Sequence, residues 1–195
     1  MATTQELKGK IRAARNTQQI TKALELVSSS KLRRAQGRLL AARPYGDLTQ
    51  DMFKSVAEQA SGADVPLLAV RERHKVLLLP VASDKGLCGS FNANVLRLTS
   101  ALLREFTRGG VQVFVLPIGR KAVEALKPGS LFARALPPFG VLDQISSLPA
   151  QPGVELAGEI ARQVISTFTS GAADEVHLVY TRFISTLNQR PVSQR

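Results

Sequence analysis

The feature that most constrains this fold is a helical pattern over about the first 62 of 195 residues. Thr3 followed by Glu6 is the capping-box pattern that marks a helix start. Beyond it, one track recurs at steps of three and four residues, apolar at its ends and polar in its middle: Leu7, Ile11, Ala14, Gln18, Thr21, Glu25, Ser28, Leu32, Ala35 and Leu39. A second stripe is rotated away from the first and consists of Ile20, Leu24 and Val27. Two partly apolar faces predict two different neighbours for this helix.

The amphipathic pattern continues past Pro44 through Leu48, Met52 and Val56. We therefore predict one helix with a kink or brief break at Pro44, ending near Ser61–Gly62. At 1.5 Å per residue it would be roughly 80 Å long. The 133 residues that remain (195 minus 62) cannot cover that length as a compact domain. Most of the helix is expected to pack against another surface.

Positive charge is concentrated on this helix. The whole chain carries a net charge of +11, and residues 1–43 hold ten Lys or Arg against two Glu, which is +8 of that total. Such a segment indicates nucleic acid, an anionic membrane or an acidic protein as partner, with a merely solvated helix as the simpler alternative.

Composition excludes several classes of protein. With 44% hydrophobic residues the chain can bury a core, and it has no apolar run of eighteen or more residues to span a membrane. Charged residues between positions 8 and 15 rule out a signal peptide, and the smooth continuation into the helix disfavours a cleaved transit peptide. Cys88 alone excludes an internal disulfide, and with only two histidines in the chain we expect no metal site.

Residues 63–73 are predicted to be a linker, and residues 74–195 a three-layer Rossmann-like α/β domain. Continuous apolar runs alternate there with amphipathic segments, as in a sheet of buried parallel strands. We predict strands at Val76–Ser83, Val111–Gly119 and Glu175–Ile184, a possible strand at Leu131–Ala135, helices at Asn92–Phe106, Arg120–Leu126 and Val154–Phe168, and a loop over 137–151.

The segment SDKGLCGSFN (83–92) joins the first strand to the following helix and is the best candidate for a catalytic or phosphate loop. Its glycines follow a G-x-x-G spacing, which is neither a dinucleotide fingerprint nor a P-loop. Cys88 near a helix start is a possible nucleophile, but position 94 is Asn94 rather than the arginine of a phosphatase loop. We predict a structural turn formed by Asp84, Gly86, Cys88 and Gly89, with a small buried Cys88 and a local Asp84–Lys85 ion pair. No catalytic, cofactor-binding or metal-binding residue is predicted, and His177 is interpreted as a satisfied core histidine.

Four stretches together resemble the gamma-subunit family of F-type ATP synthases: NTQQITKALELVSSSKLRRAQ (16–36), SDKGLCGSFN (83–92), IGRKA (118–122) and RFISTLNQRP (182–191). The resemblance covers essentially the whole chain. It implies a central-stalk rotor shaft whose long helix forms half of an antiparallel coiled coil inside a ring of three alpha and three beta subunits. The α/β domain would then sit beside the epsilon subunit and the c-ring.

The resemblance further implies a heteromeric, non-catalytic subunit without a cofactor that transmits torque between proton flow and nucleotide chemistry. The expected location of such a subunit is peripheral to the membrane, on the cytoplasmic face of the bacterial cell membrane. The family pattern continues past Gln189–Pro191 into a long C-terminal helix, whereas this chain stops at Arg195. We therefore expect either a fragment or a truncated variant.

The resemblance also suggests contact residues on the long helix. Lys22 and Leu24 match the region where coupling in the family is sensitive to charge. The basic residues further along are expected to meet acidic loops of the ring or polar loops of the c-ring: Lys31, Arg33, Arg34 and Arg38. Small and polar residues suit a turning shaft, because an apolar patch would add roughly 25 cal/mol per Å² of adhesion at one angle.

The sequence is also compatible with two other functions. The basic helix could contact the phosphates of a nucleic acid, although no aromatic residues interleave the basic cluster for base stacking. An α/β enzyme using Cys88 is the third possibility.

Overall fold

The computed structural model describes residues 3–60, 65–149 and 151–195. The chain divides into two compact units, Met1–Ala63 and Asp64–Arg195. The predicted helix end near Ser61–Gly62, and with it the predicted boundary between helix and linker, lies outside the described residues.

The described part of the first unit contains one helix, α1 (Thr4–Gln59), of 56 residues. The predicted capping box is present: the Glu6 carboxylate accepts from the Thr3 backbone N–H at 2.8 Å, and the Glu6 N–H donates to the Thr3 hydroxyl at 3.4 Å. The helix passes through Pro44 without a break. A proline removes one backbone hydrogen bond, and the many remaining bonds on both sides keep the helix continuous.

The second unit alternates strands and helices, which is the pattern that its apolar runs predicted. After a short 3₁₀ turn at Pro66–Leu68, its elements are β1 (Lys75–Pro80), α2 (Phe91–Arg108), β2 (Gln112–Val115), α3 (Arg120–Leu126), α4 (Leu131–Arg134), β3 (Gly140–Val141), α5 (Val154–Thr169), β4 (Glu175–Phe183) and β5 (Gln189–Gln194).

These strands form one sheet in the order β3-β2-β1-β4-β5. The pairs β1–β2, β1–β4 and β2–β3 are parallel, and β5 closes one edge antiparallel to β4. The central strand β1 is almost completely buried, which explains its uninterrupted apolar sequence.

The two faces of the sheet carry separate cores. On one face Val76 and Leu78 of β1 pack with Leu103 and Phe106 of α2. On the other, Leu77 and Leu79 lie in a cluster to which Ile160 and Val164 of α5 contribute. A sheet covered on both faces by helices is a three-layer α/β arrangement. The predicted fold class, a long N-terminal helix followed by an α/β domain, is confirmed.

Three local predictions were wrong or incomplete. The possible strand at Leu131–Ala135 is the short helix α4, whose first turn is capped by the Ser130 hydroxyl accepting from the Ala133 N–H at 3.0 Å. The predicted loop over 137–151 contains the two-residue strand β3. Strand β5 was not predicted, because its sequence QRPVSQ is polar and includes a proline, which sheets tolerate at an edge.

Candidate functional site

Helix α1 presents an unburied surface over its whole length, since no residue from Thr4 to Gln59 is buried. Ile20, Leu24 and Val27, which form the second stripe, are 62%, 56% and 53% exposed. A helix of a soluble protein normally buries an apolar face. These apolar side chains therefore form a surface suited to a partner.

The four predicted basic contact residues lie on one stretch of α1. Arg34 donates through Nη2 to the Ser30 hydroxyl at 3.0 Å, and Arg38 donates through Nε to the Arg34 carbonyl at 3.4 Å. Lys31 and Arg33 form no ion pair with any residue that the structure describes, and both are exposed. The side chains of Lys31 and Arg33 are therefore available to acidic groups outside the described chain.

The predicted coupling residues are accessible but not clustered. Lys22 and Leu24 are two residues apart on α1, so their side chains project from different sides of the helix. From Lys22 to Arg38 the six positions extend over roughly 24 Å of helix. Their roles remain a prediction.

The loop between β1 and α2 is closed by hydrogen bonds between its two ends. The Asn92 side-chain oxygen accepts from the Ser83 backbone N–H at 3.0 Å, and the Asn92 amide donates to the Ser83 hydroxyl at 2.9 Å. The same amide lies 3.2 Å from Cys88 Sγ. These bonds hold the turn without any ligand.

Asp84 has a different role from the predicted one. Its carboxylate accepts from the Arg120 backbone N–H at 2.7 Å, at the start of α3, and among the described residues it forms no ion pair with Lys85. Gly119, the residue before that helix, supplies no side-chain cap. Asp84, from the loop after β1, therefore caps the N-terminus of α3. The two residues are 36 positions apart, so no local pattern in the sequence indicated this contact.

Cys88 was predicted to be small and buried, and this was wrong, because it is exposed. Its sulfur contacts the Asn92 amide, the Ser83 hydroxyl and the Lys85 carbonyl, none of which is a base able to take a thiol proton.

The two glycines of this loop differ in backbone conformation. Gly89 has φ +57°, a conformation that favours glycine, whereas Gly86 has no positive φ and an added Cβ there would meet open space. The geometry thus supports a structural turn at Gly89 more than at Gly86.

A polar cluster that sequence reasoning missed surrounds Glu175 at the start of β4. The Glu175 side chain is only 6% exposed, and Arg73 Nε approaches its Oε2 at 2.7 Å. His177 Nε2 lies 2.7 Å from Oε1, and Arg195 Nε lies 3.6 Å from the same atom. The only signal in the sequence was an acidic residue opening an apolar strand. Because His177 also bonds the Ser193 hydroxyl at 3.2 Å, both its ring nitrogens have partners, as predicted, but its side chain is 13% exposed and not part of the core.

Two carboxylates at the start of β4, those of Asp174 and Glu175, have lowered pKa values. Burial raises the pKa of Glu175, but hydrogen bonds from His177 and Arg73 and the charges of Arg195 and Arg73 outweigh it. At Asp174, desolvation likewise raises the pKa, but hydrogen bonds from the Lys75 and His74 backbone N–H groups and the nearby charges of those two residues lower it by more. Both groups are therefore held in the ionised form.

A family model described as ATP synthase matches residues 3–195. Curated proteins named ATP synthase gamma chain match along the same length. The chain belongs to the gamma-subunit family of F-type ATP synthases. The resemblance seen in the four sequence stretches is thereby confirmed, and the nucleic-acid alternative gains no support.

Two relatives illustrate the match. The gamma chain of Ralstonia nicotianae is 38% identical over 196 residues, covering 100% of this chain and 64% of the relative. That of Desulfitobacterium hafniense is 36% identical over 191 residues, covering 98% and 64%. This chain thus spans a little under two thirds of the length of such relatives.

A solved structure agrees at the level of fold. The cryo-EM structure of the Tetrahymena thermophila mitochondrial ATP synthase central stalk and c-ring contains a similar chain, with a TM-score of 0.68 and 26% identity. The match covers 90% of this chain and 70% of that one.

No helix among the described residues combines the length and the apolar composition that a membrane span requires. Nor do the described residues bring together three or more His, Cys, Asp or Glu side chains as a metal site.

Proposed function

We propose that this chain forms part of the central-stalk rotor of a proton-translocating F-type ATP synthase and transmits torque between the c-ring and the catalytic ring. The observation that carries this proposal is α1, a 56-residue helix without a buried residue in a member of the gamma-subunit family. A helix of this length gains most of its stability from packing against partners. Inside the complex those partners would be the second helix of an antiparallel coiled coil and the surrounding ring.

We propose alpha, beta and epsilon subunits and the c-ring as partners in a heteromeric assembly. The similar Tetrahymena chain belongs to a structure of a central stalk and c-ring, which supports the c-ring as a partner. The excess positive charge of α1, with Lys31 and Arg33 unpaired among the described residues, suits acidic loops of a surrounding ring. No nucleic acid is needed to explain this charge.

The subunit itself is proposed to be non-catalytic, so that ATP turnover belongs to the assembly. The loop at 83–92 bonds to itself and to the start of α3, and its thiol lacks an adjacent base. We propose no cofactor for this chain.

The coupling surface is proposed to comprise Lys22, Leu24, Lys31, Arg33, Arg34 and Arg38. All six are exposed on α1 and combine one apolar side chain with five cationic ones. Weak, exchangeable contacts of this kind let a shaft pass from one angle to the next without a deep energy minimum. The complex would hold the subunit at the cytoplasmic face of a bacterial membrane.

Rotation is the direct test. A full-length subunit carrying this sequence, with Cys88→Ser and a bead attached through Val154→Cys, would be assembled with an immobilised alpha–beta ring. Val154 is 85% exposed and lies at the start of α5, so a probe there disturbs little. We expect unidirectional rotation of the bead when ATP is added. A ring that hydrolyses ATP while the bead stays still would contradict the rotor function.

A further inference from the structure

Glu175 joins three separate segments of the second unit through one carboxylate. Arg73, just before β1, occupies Oε2, whereas His177 of β4 and Arg195, directly after β5, occupy Oε1. Both oxygens are therefore used. Arg73 and Arg195 mark the segment that leads into the sheet and the segment that follows its last strand.

The cluster is attached to the core of the unit. The Phe106 ring of α2, a member of the buried core, lies 5.2 Å from the His177 ring and 5.5 Å from the Arg73 guanidinium. Aromatic and cation–π contacts of this type add directional attraction to the ion pairs. Any displacement of Arg73 would therefore disturb both a buried carboxylate and a core aromatic ring.

The segment from Arg71 to Lys75, which we call the entry segment, is tied down at further points. Arg71 donates to the Phe168 carbonyl at 2.6 Å and lies 4.6 Å over the Phe168 ring. The Asp174 carboxylate accepts from the His74 and Lys75 backbone N–H groups at 3.1 and 2.8 Å. Irregular segments before a strand normally have few such fixed contacts.

Stability alone does not account for this arrangement. A buried ion pair costs desolvation, and well-packed apolar residues at such sites often stabilise a fold as well or better. A buried carboxylate with all its hydrogen bonds made also fixes the groups that bind it in one position. Two of the groups fixed here are Arg73, before the first strand of the sheet, and Arg195, after the last strand.

We propose that Glu175 is a positioning residue that clamps the entry segment and the end of β5 to the core of the α/β unit, so that force applied to the chain there is delivered to the sheet. The force-carrying role rests on the proposed rotor function, whereas the clamp itself does not. Without the clamp, the entry segment would stretch before the sheet moved.

The clamp is tested on the 195-residue chain by amide hydrogen exchange. In Glu175→Gln and in Arg73→Gln, we expect exchange about tenfold faster in residues 71–75 and 189–195, with β2 and the rest of β1 (residues 76–80) unchanged. Arg73 is half exposed, so its variant decides the question if Glu175→Gln fails to fold. The control is Glu124→Gln, which removes a surface pair with Lys121 of the same 2.7 Å length. Unchanged exchange in the two segments, or equal acceleration throughout the sheet, would overturn the clamp.

Force transmission is tested in membranes containing ATP synthase with the full-length subunit. We expect Arg73→Gln and Glu175→Gln to keep the ATP hydrolysis rate and to lower the ratio of proton pumping to hydrolysis at least about twofold, with Glu124→Gln unchanged. A merely structural role would lower both activities together, and that result or equal ratios would overturn this role. If the wild-type subunit itself drives no pumping, the rotor function fails, while hydrogen exchange still decides the clamp.

Discussion

The Asp84 carboxylate accepts a hydrogen bond from the backbone N–H of Arg120 at 2.7 Å. This bond joins the loop after β1 to the first residue of α3 and satisfies one of the N–H groups that every helix leaves free at its start. It ties together the two stretches, SDKGLCGSFN and IGRKA, that carry part of the family resemblance.

Removal of this cap should destabilise the α/β unit measurably. We expect Asp84→Ala to lower the free energy of unfolding by about 1 kcal/mol and Asp84→Asn to retain most of it, since the amide oxygen still accepts. Lys85→Ala should change it by less than about 0.5 kcal/mol, because Asp84 does not pair with Lys85. Urea unfolding followed by the amide signals of β1 measures all three. A larger loss for Lys85→Ala than for Asp84→Ala would restore the ion-pair interpretation.

Gly119 should be the glycine least tolerant of substitution. Its φ is +91°, and an added Cβ would overlap the Ala82 carbonyl oxygen, a backbone atom of the neighbouring loop. We expect Gly119→Ala to cost about 3 kcal/mol or more in the free energy of unfolding.

Gly158 is the matched control for Gly119. It lies inside α5, where an added Cβ would meet nothing within 4 Å. Gly158→Ala should therefore stabilise the unit by roughly 0.5–1 kcal/mol. The same urea experiment compares the two, and similar costs at both positions would show that the backbone at Gly119 relaxes.

Acid should weaken the α/β unit through Glu175. Its folded-state pKa lies below the ordinary 4.5, so its contribution to stability is complete above about pH 5 and is lost as the pH falls through the folded-state value. We expect Glu175→Gln to be less stable than wild type at pH 7 by about 2 kcal/mol, the size of a charged hydrogen bond. The difference should shrink as the pH drops below 4.5. Thermal unfolding between pH 7 and pH 3 checks this, and a constant difference would mean that ionisation of Glu175 contributes nothing.

Cys88 should be dispensable for activity. Its sulfur accepts from the Asn92 amide at 3.2 Å, and a serine hydroxyl can accept the same bond. We expect Cys88→Ser to assemble normally and to leave ATP turnover of the complex within about twofold of wild type, because the side chain is exposed and no base adjoins it. Loss of turnover with an unchanged circular dichroism spectrum would revive the catalytic interpretation.

Local patterns allowed most of this fold to be predicted, and long-range contacts explain what was missed. The apolar runs at β1, β2 and β4 indicated buried parallel strands because burial on both faces leaves no alternation. By contrast, β5 is a polar edge strand whose position depends on pairing Pro191 with Thr181. The Glu175–Arg73 pair joins residues 102 positions apart, and no periodicity in a sequence encodes such a contact.

In the candidate functional site, too, local features could be predicted from the sequence and long-range contacts could not. Exposure of Leu24 and its neighbours on α1 was predictable, because the helix is too long for the rest of the chain to cover. The cap from Asp84 to α3 was not predictable, because it requires the carboxyl ends of β1 and β2 to be side by side.

Leu24 is 56% exposed on α1 and belongs to the proposed coupling surface. In a complex assembled with the full-length subunit, Leu24→Lys should leave assembly intact and lower the ratio of proton pumping to ATP hydrolysis. The added ammonium would find acidic groups of the ring at some rotor angles only, and such a contact contributes about 1.5–3 kcal/mol. That deepens one angular minimum and slows passage out of it by roughly ten- to a hundredfold. Leu24→Met, a swap of similar volume, should be nearly silent. Equal ratios for Leu, Met and Lys at position 24 would exclude this part of α1 from the coupling surface.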